Sequence, residues 1–210
     1  TQPSQVMLTG GGILVPSGAS ASIVASGDSV VRAYDGVSAY VHAFGDLNVN
    51  GELFSTQGLV KNGPGTATFA AGSLANLRGR VGVNDGTLHV NDSLANIRQS
   101  GVNAASFDGI HMLLNGGTVD LHGHSQLFNR LEAGNPLPVA GSEGGTLTSA
   151  DPARVTVAHN STFSGHIAGA ISLDKVGNTT LMLTNTNPYS GTTAVRQGTL
   201  YLRDLGRSEE

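Results

Sequence analysis

Three groups of residues in this chain have the types and spacing that chemistry asks for. Gly27-Asp28-Ser29 has the composition of a serine-nucleophile turn, and His42 follows close behind. A nucleophile needs a positioned base and an orienting acid, and Val30 stands where such a turn wants Gly. A polar β-turn accounts for the triplet more simply. His122 and His124 are two apart, so a strand would place them on one face, with His111 as a third partner. A metal needs about three or four ligands with a supporting shell. The plainer reading is separate surface histidines that charge in mildly acidic solution. Last, Asp28, Asp35, Asp46, Asp85, Asp92, Asp108 and Asp120 are spread singly along the chain. A carbohydrate-active enzyme would want such carboxylates clustered for Ca²⁺ or for acid and base work. Only a register that stacks Asp85 or Asp120 against others would supply that. No catalytic, cofactor or metal set is therefore assigned, and the chain is expected not to be an enzyme.

The elements that would position any of these residues are short strands. Of 210 residues, 30 are Gly, none is Cys or Trp, and 12% are charged, against roughly 25% charged in average proteins. The Ala, Leu, Glu, Lys and Arg mixture that sustains helices is scarce. A hydrophobic fraction of 39% with a net charge of −4 argues against disorder. Glycines punctuating apolar runs read as many turns between many strands. The weak negative charge, with Lys61 and Lys175 as the two lysines, offers no basic stripe for nucleic acid. The lack of Cys excludes a disulfide scaffold and a thiolate zinc site. Thr1 to Gln5 lacks the basic start and apolar stretch of a signal peptide, so the chain is expected to be a piece of something larger.

Internal repetition defines the architecture. Residues 73–78 read SLANLR and residues 93–98 read SLANIR, an offset of 20 that falls in the range of solenoids. An apolar–polar–apolar triplet recurs at Leu47–Val49, Leu88–Val90, Val119–Leu121, Val155–Val157, Leu181–Leu183 and Leu200–Leu202. Several copies follow Gly-Thr, at Gly86-Thr87, Gly117-Thr118 and Gly198-Thr199, and Gly145-Thr146 heads a similar stretch at Leu147. Strand periodicity turns both apolar side chains of a triplet to one side. Strands so short make poor hairpins, but stacked in parallel they bond to equivalents above and below. About 20–25 residues per coil predicts roughly eight to ten coils. Asn84, Asn91 and Asn115 are placed to stack as amide ladders or to occupy left-handed turn positions. Residues 129–145, with Pro136, Pro138 and several glycines, break the rhythm and read as a loop protruding from the wall.

Residues 173–202 carry a denser pattern. Leu173, Lys175 and Gly177 are followed by Thr180, Leu181 and Leu183, then Asn187, Tyr189, Gly191, Thr193 and Val195, and finally Gly198, Thr199, Leu200 and Leu202. This resembles the passenger-associated transport repeat of autotransporters, the type V secretion family. Thr179 departs from it, standing where that pattern has Gly, and a β-branched residue does not favour positive φ. In the expected packing Gly191 and Gly198 permit tight turns while Leu181, Leu183, Val195, Leu200 and Leu202 fill the core.

The resemblance implies a right-handed single-stranded parallel β-helix, a fragment of a longer passenger. Residues 1–172 would form coils, 173–202 the repeat coils and 203–210 a tail. It implies a segment displayed on the bacterial cell surface or outer membrane, or secreted, that acts as stalk or adhesive surface. The C-terminal repeat would aid folding and secretion. The implied partners are a C-terminal outer-membrane β-barrel translocator, absent from these residues, and host surface, matrix or glycan ligands, or sister copies. No cofactor is implied. The competing reading is a β-helical polysaccharide lyase or hydrolase.

Overall fold

The computed structural model describes residues 5–8, 12–24, 30–34, 36–75, 77–92, 109–134 and 144–203. Its regular elements are twenty-two strands, β1 to β22 in chain order, and every pairing between them is parallel. The longest sheet stacks nine: β2 (Gly12–Val15), β5 (Ala39–Ala43), β8 (Gly58–Asn62), β10 (Arg80–Val83), β12 (Ile110–Leu114), β14 (Gln126–Glu132), β16 (Ala153–Val157), β19 (Ile171–Lys175) and β21 (Thr193–Val195). A second wall stacks seven: β3 (Ser20–Val24), β6 (Asp46–Asn50), β9 (Thr66–Phe69), β11 (Thr87–Val90), β13 (Thr118–Asp120), β15 (Thr146–Thr148) and β18 (His166–Ile167). Two three-stranded sheets complete the coils, one of β1 (Gln5–Leu8), β4 (Val30–Ala33) and β7 (Glu52–Phe54), the other of β17 (Ser161–Phe163), β20 (Thr180–Leu183) and β22 (Thr199–Leu202).

Each strand bonds to the equivalent strand of the coil before and after it, so the chain winds as a parallel β-helix. Nine rungs at an interstrand spacing of about 4.8 Å extend roughly 38 Å along the axis. The coil length varies. Val157 pairs with Lys175, 18 residues on, whereas Val83 pairs with Leu114, 31 residues on. The longer intervals carry residues 25–29, 93–108 and 135–143, which lie outside the described residues.

The inside of the coil is mainly apolar. Val41, Leu59, Val81, Met112, Phe128, Val155 and Leu173 come from the nine-stranded sheet, and Leu47, Leu88, Val119 and Leu147 from the second wall; all are fully buried. The recurring triplets thus sit on strands as period-two alternation requires, but on different walls of the coil. Leu47–Val49, Leu88–Val90 and Val119–Leu121 line the second wall, Val155–Val157 the first and Leu181–Leu183 a third. In the SLANLR copy Leu74 and Leu77 turn into the core, with Leu77 bridged to Ser55. The SLANIR copy at 93–98 lies outside the described residues.

One corner of the coil is a column of glycine. Gly45, Gly65, Gly86, Gly117, Gly145 and Gly165 lie one above another. A Cβ added at Gly65 would stand 2.1 Å from Gly45 O, at Gly145 2.0 Å from Gly117 O, and at Gly165 2.1 Å from Gly145 O. Close approach of successive backbones, more than positive φ, demands Gly at this corner. Threonines follow four of these glycines, and Thr66, Thr87, Thr118 and Thr146 stack in register on the outer face.

The expected loop over 129–145 is narrower than its composition implies. Asn129–Glu132 belong to β14, because Leu131 is buried and its N–H donates to Ser161 Oγ at 3.1 Å. Gly144 and Gly145 are already back in the stack. Residues 135–143 of that loop, and residues 204–210 of the expected tail, lie outside the described residues.

Candidate functional site

The pattern over 173–202 occupies two consecutive coils. Leu173 pairs with Thr193, Lys175 with Val195, Leu181 with Leu200 and Leu183 with Leu202, so each half of the pattern stacks on the other. Leu173, Leu181 and Leu183 are buried. Asn187 Oδ1 accepts the Ile167 N–H at 2.9 Å, and Tyr189, half-buried against the core, bridges Gly169 and shares a 2.6 Å hydrogen bond with Thr193 Oγ1. Gly198 takes φ +78° as a tight turn asks. At Gly191 the constraint is contact instead, since a Cβ would lie 2.3 Å from Ile171 O. Val195 and Leu202 do not fill the core as expected: they are 50% and 65% exposed. They extend the columns of Lys175 and Leu183, but β21 and β22 are the outermost rungs of their sheets, so nothing described covers their far side.

Polar groups fasten this coil pair. Lys175 is fully buried, and its Nζ donates to Gly177 O at 2.9 Å, to Thr179 Oγ1 at 3.1 Å, to Val176 O and to Ala158 O at 3.5 Å in the coil below. Burial pushes the ammonium below the ordinary lysine range. Thr179 now has a reason: its hydroxyl accepts from Lys175 and donates to Ala158 O at 3.0 Å, a link Gly could not make. Beside it Asp174, 4% exposed, accepts from Arg154 at 2.9 Å and Arg196 at 2.8 Å. Burial works to raise this carboxyl, but the hydrogen bonds and charges of Arg196 and Arg154 outweigh it and hold it below the usual carboxylate range.

Lys61, the second lysine, is buried in the same way. Its Nζ donates to Gly63 O and, at 2.9 Å, to Asp85 O of the next coil. Burial pushes its pKa down, and the charge of Asp85 offsets part of that. Leu59-x-Lys61-x-Gly63 has the spacing of Leu173-x-Lys175-x-Gly177, and Thr66-Ala67-Thr68-Phe69 follows where Thr180-Leu181-Met182-Leu183 follows in the later copy. Sequence reading missed this earlier copy; aligning the chain on its two lysines is the signal that finds it.

The other candidates disperse or regroup. Gly27-Asp28-Ser29, Asp35 and Asp108 lie outside the described residues, and His42 stacks on Tyr40 with ring centroids 6.3 Å apart. Asp46 Oδ1 accepts the Thr66 N–H, Asp85 its neighbour Gly86 N–H, and Asp92 the Gly72 N–H, so these carboxylates cap turns. His111, His122 and His124 do not converge. His111 lies on β12 with Nε2 2.6 Å from Glu132 Oε2, and burial, working against that carboxylate, pulls its pKa down. His122 instead meets His89 and Asp120, whose ligand atoms and its own all lie within 4.8 Å of one another. Asn84 Nδ2 donates to Asn62 Oδ1 at 2.7 Å and Asn115 Nδ2 to Asn84 Oδ1 at 2.6 Å, an amide ladder across three coils; Asn91 leaves that ladder for His122. On the outer face of the nine-stranded sheet, Tyr40, Arg80, His111 and Arg130 line an open groove of about 540 Å³.

Stacked coils with a twofold-repeated, lysine-clamped turn define a β-helical solenoid. Residues 173–202 match the family described as Passenger-associated-transport-repeat. The chain is also 32% identical over 141 residues to the Adhesin BmaC autotransporter of Brucella suis biovar 1 (strain 1330); the match covers 66% of this chain and 4% of that protein. No solved structure matches. Residues 173–202 are thus a passenger-associated transport repeat, and the chain is similar to autotransporter passengers, proteins of the bacterial cell surface, outer membrane or surroundings.

Proposed function

We propose that this passenger segment acts by presentation: it is a stalk whose outward faces bind, and it does not turn over a substrate. The observation that carries this reading is the unbroken parallel ladder of nine rungs, which spends the interior on packing and leaves whole walls facing outward. The groove beside Tyr40, with Arg80, Arg130, Gln57 and Asn129 around it, combines an aromatic face with amide and guanidinium donors, the groups suited to a glycan. The relative named as an adhesin supports the same reading. In the whole protein the passenger would be joined to a C-terminal outer-membrane barrel. The two coils of 173–202 would help the passenger fold outside the cell, each completed rung offering its edge to the next.

Small-angle scattering from the isolated chain should give an elongated rod, and a compact globule would remove the stalk. Binding of the chain to an array of acidic and neutral glycans should fall at least tenfold in Arg80→Gln and Tyr40→Ala. Undiminished binding in both variants would remove the groove from the reading. Export of the passenger from its parent should slow in Lys175→Met if the repeat aids folding, and an unchanged rate of surface appearance would refute that role.

A further inference from the structure

The register of the second wall places Thr68, His89 and Asp120 in one outward column on β9, β11 and β13. Just after β13 the chain turns sharply, and His122 enters that turn at φ +45°, the one non-glycine residue with positive φ among the described residues. The turn is pinned. Asp120 Oδ1 accepts the His122 N–H at 3.1 Å, His124 N–H donates to Leu121 O at 2.8 Å, and Gly123 N–H donates to Ser149 Oγ at 2.9 Å. Its effect is to swing the His122 ring back over His89, 4.5 Å between centroids, and against Asp120.

Both imidazoles have their Nδ1 occupied. His122 Nδ1 donates to Asn91 Oδ1 at 2.7 Å, and His89 Nδ1 faces Thr68 Oγ1 at 3.5 Å on the coil below. Asn91 Oδ1 only accepts, so His122 holds its proton on Nδ1 and its lone pair on Nε2, the tautomer a metal takes, and the Thr68 hydroxyl can receive a His89 Nδ1 proton in the same way. His122 Nε2 then points at Asp120 Oδ2 from 3.2 Å. In the neutral ring that sets acceptor against acceptor, which a proton or a metal cation between them relieves. Tetrahedral coordination at about 2.0–2.1 Å separates ligand atoms by roughly 3.3 Å, close to the distance present. A ring nitrogen of His89 lies within 4.8 Å of both. Strained backbone gathers at ligand clamps of this kind.

We propose that His89, Asp120 and His122 bind one divalent transition-metal ion of the Zn²⁺ class, bridging two adjacent coils, with solvent completing its coordination. Two imidazoles and one carboxylate suit Zn²⁺, Ni²⁺ or Cu²⁺ and disfavour Ca²⁺, which takes six to eight oxygens.

The test is titration of the chelator-stripped, tag-free chain with Zn²⁺ alone, followed by calorimetry and by melting temperature. One ion should bind per chain and raise the melting temperature. His122→Gly removes the ring while keeping a residue that accepts positive φ, so it should fold as well and bind at least tenfold more weakly. His89→Gln should behave alike, and Asn91→Ala, which removes the outer partner of His122, should lose about 10- to 100-fold. His124→Gln and His111→Gln should bind as the parent does. The proposal is overturned if the parent binds no Zn²⁺, if His122→Gly and His89→Gln retain its affinity, if His124→Gln or His111→Gln abolishes binding, or if Ca²⁺ binds as tightly as Zn²⁺.

Discussion

Replacing Lys175 by Met separates two effects that oppose each other inside the coil. Met keeps the length and apolar stem of the side chain but removes every donor. What is lost is a cage: Gly177 O, Thr179 Oγ1, Val176 O and, more distantly, Ala158 O all face Nζ. Carbonyls stripped of a donor in a partly buried turn cost about 1–3 kcal/mol each. What is gained is relief from burying an ammonium, a penalty of several kcal/mol before its bonds are counted. All three N–H groups of Lys175 find acceptors, so most of that penalty is already offset, and the lost cage should decide the sign. We expect Lys175→Met to destabilise by about 2 kcal/mol. With a slope near 2 kcal/mol/M, the urea midpoint falls by about 1 M. The gap between parent and variant should widen as pH rises towards the unfolded lysine value of about 10.4. A lysine pKa lowered by folding means that the unfolded chain holds more protons in that window, so stability rises with pH. An unchanged or higher urea midpoint in Lys175→Met would refute the reasoning and leave the lysine as a burden that the fold tolerates.

Other expectations follow from the same geometry. Gly145→Ala puts a Cβ 2.0 Å from Gly117 O without any strain in φ and should cost about 2–3 kcal/mol by overpacking. Gly18→Ala meets nothing within 4 Å at φ +73° and should cost about 1 kcal/mol; denaturation midpoints in the reverse order would discredit the glycine column. Asp174 is held below the usual carboxylate range, so its contribution is present above the unfolded value of about 3.9 and is lost as pH falls through the lower folded value. Acid titration of stability should therefore be shallower in Asp174→Asn than in the parent below about pH 4, and superimposable curves would dismiss the Arg154–Asp174–Arg196 network. Asn84→Ala interrupts the amide ladder between Asn62 and Asn115 and, on an exposed edge, should cost about 0.5–1.5 kcal/mol, measurable in the same urea series.

What was legible in the sequence was what repeats within one coil. The alternating triplets fall on strands because two-residue periodicity is local, and Gly-Thr announced a turn at which backbones crowd. Relations between coils were not legible, because offsets run from 18 to 31 residues and a column built on a constant period drifts off register. His122 shows the cost. Read along one strand, it was paired with His124, two residues away; in the folded coil the +45° turn sends it to His89, 33 residues earlier and one rung below. Lys61 and Lys175 had the opposite fate. Both are visible as the only lysines of the sequence, but nothing local shows that the four-carbon stem reaches turn carbonyls from a core site. In a solenoid the unit that carries chemistry is therefore the outward or inward column, assembled from residues that chain distance keeps apart. Its members can be found only after the register of each coil is known.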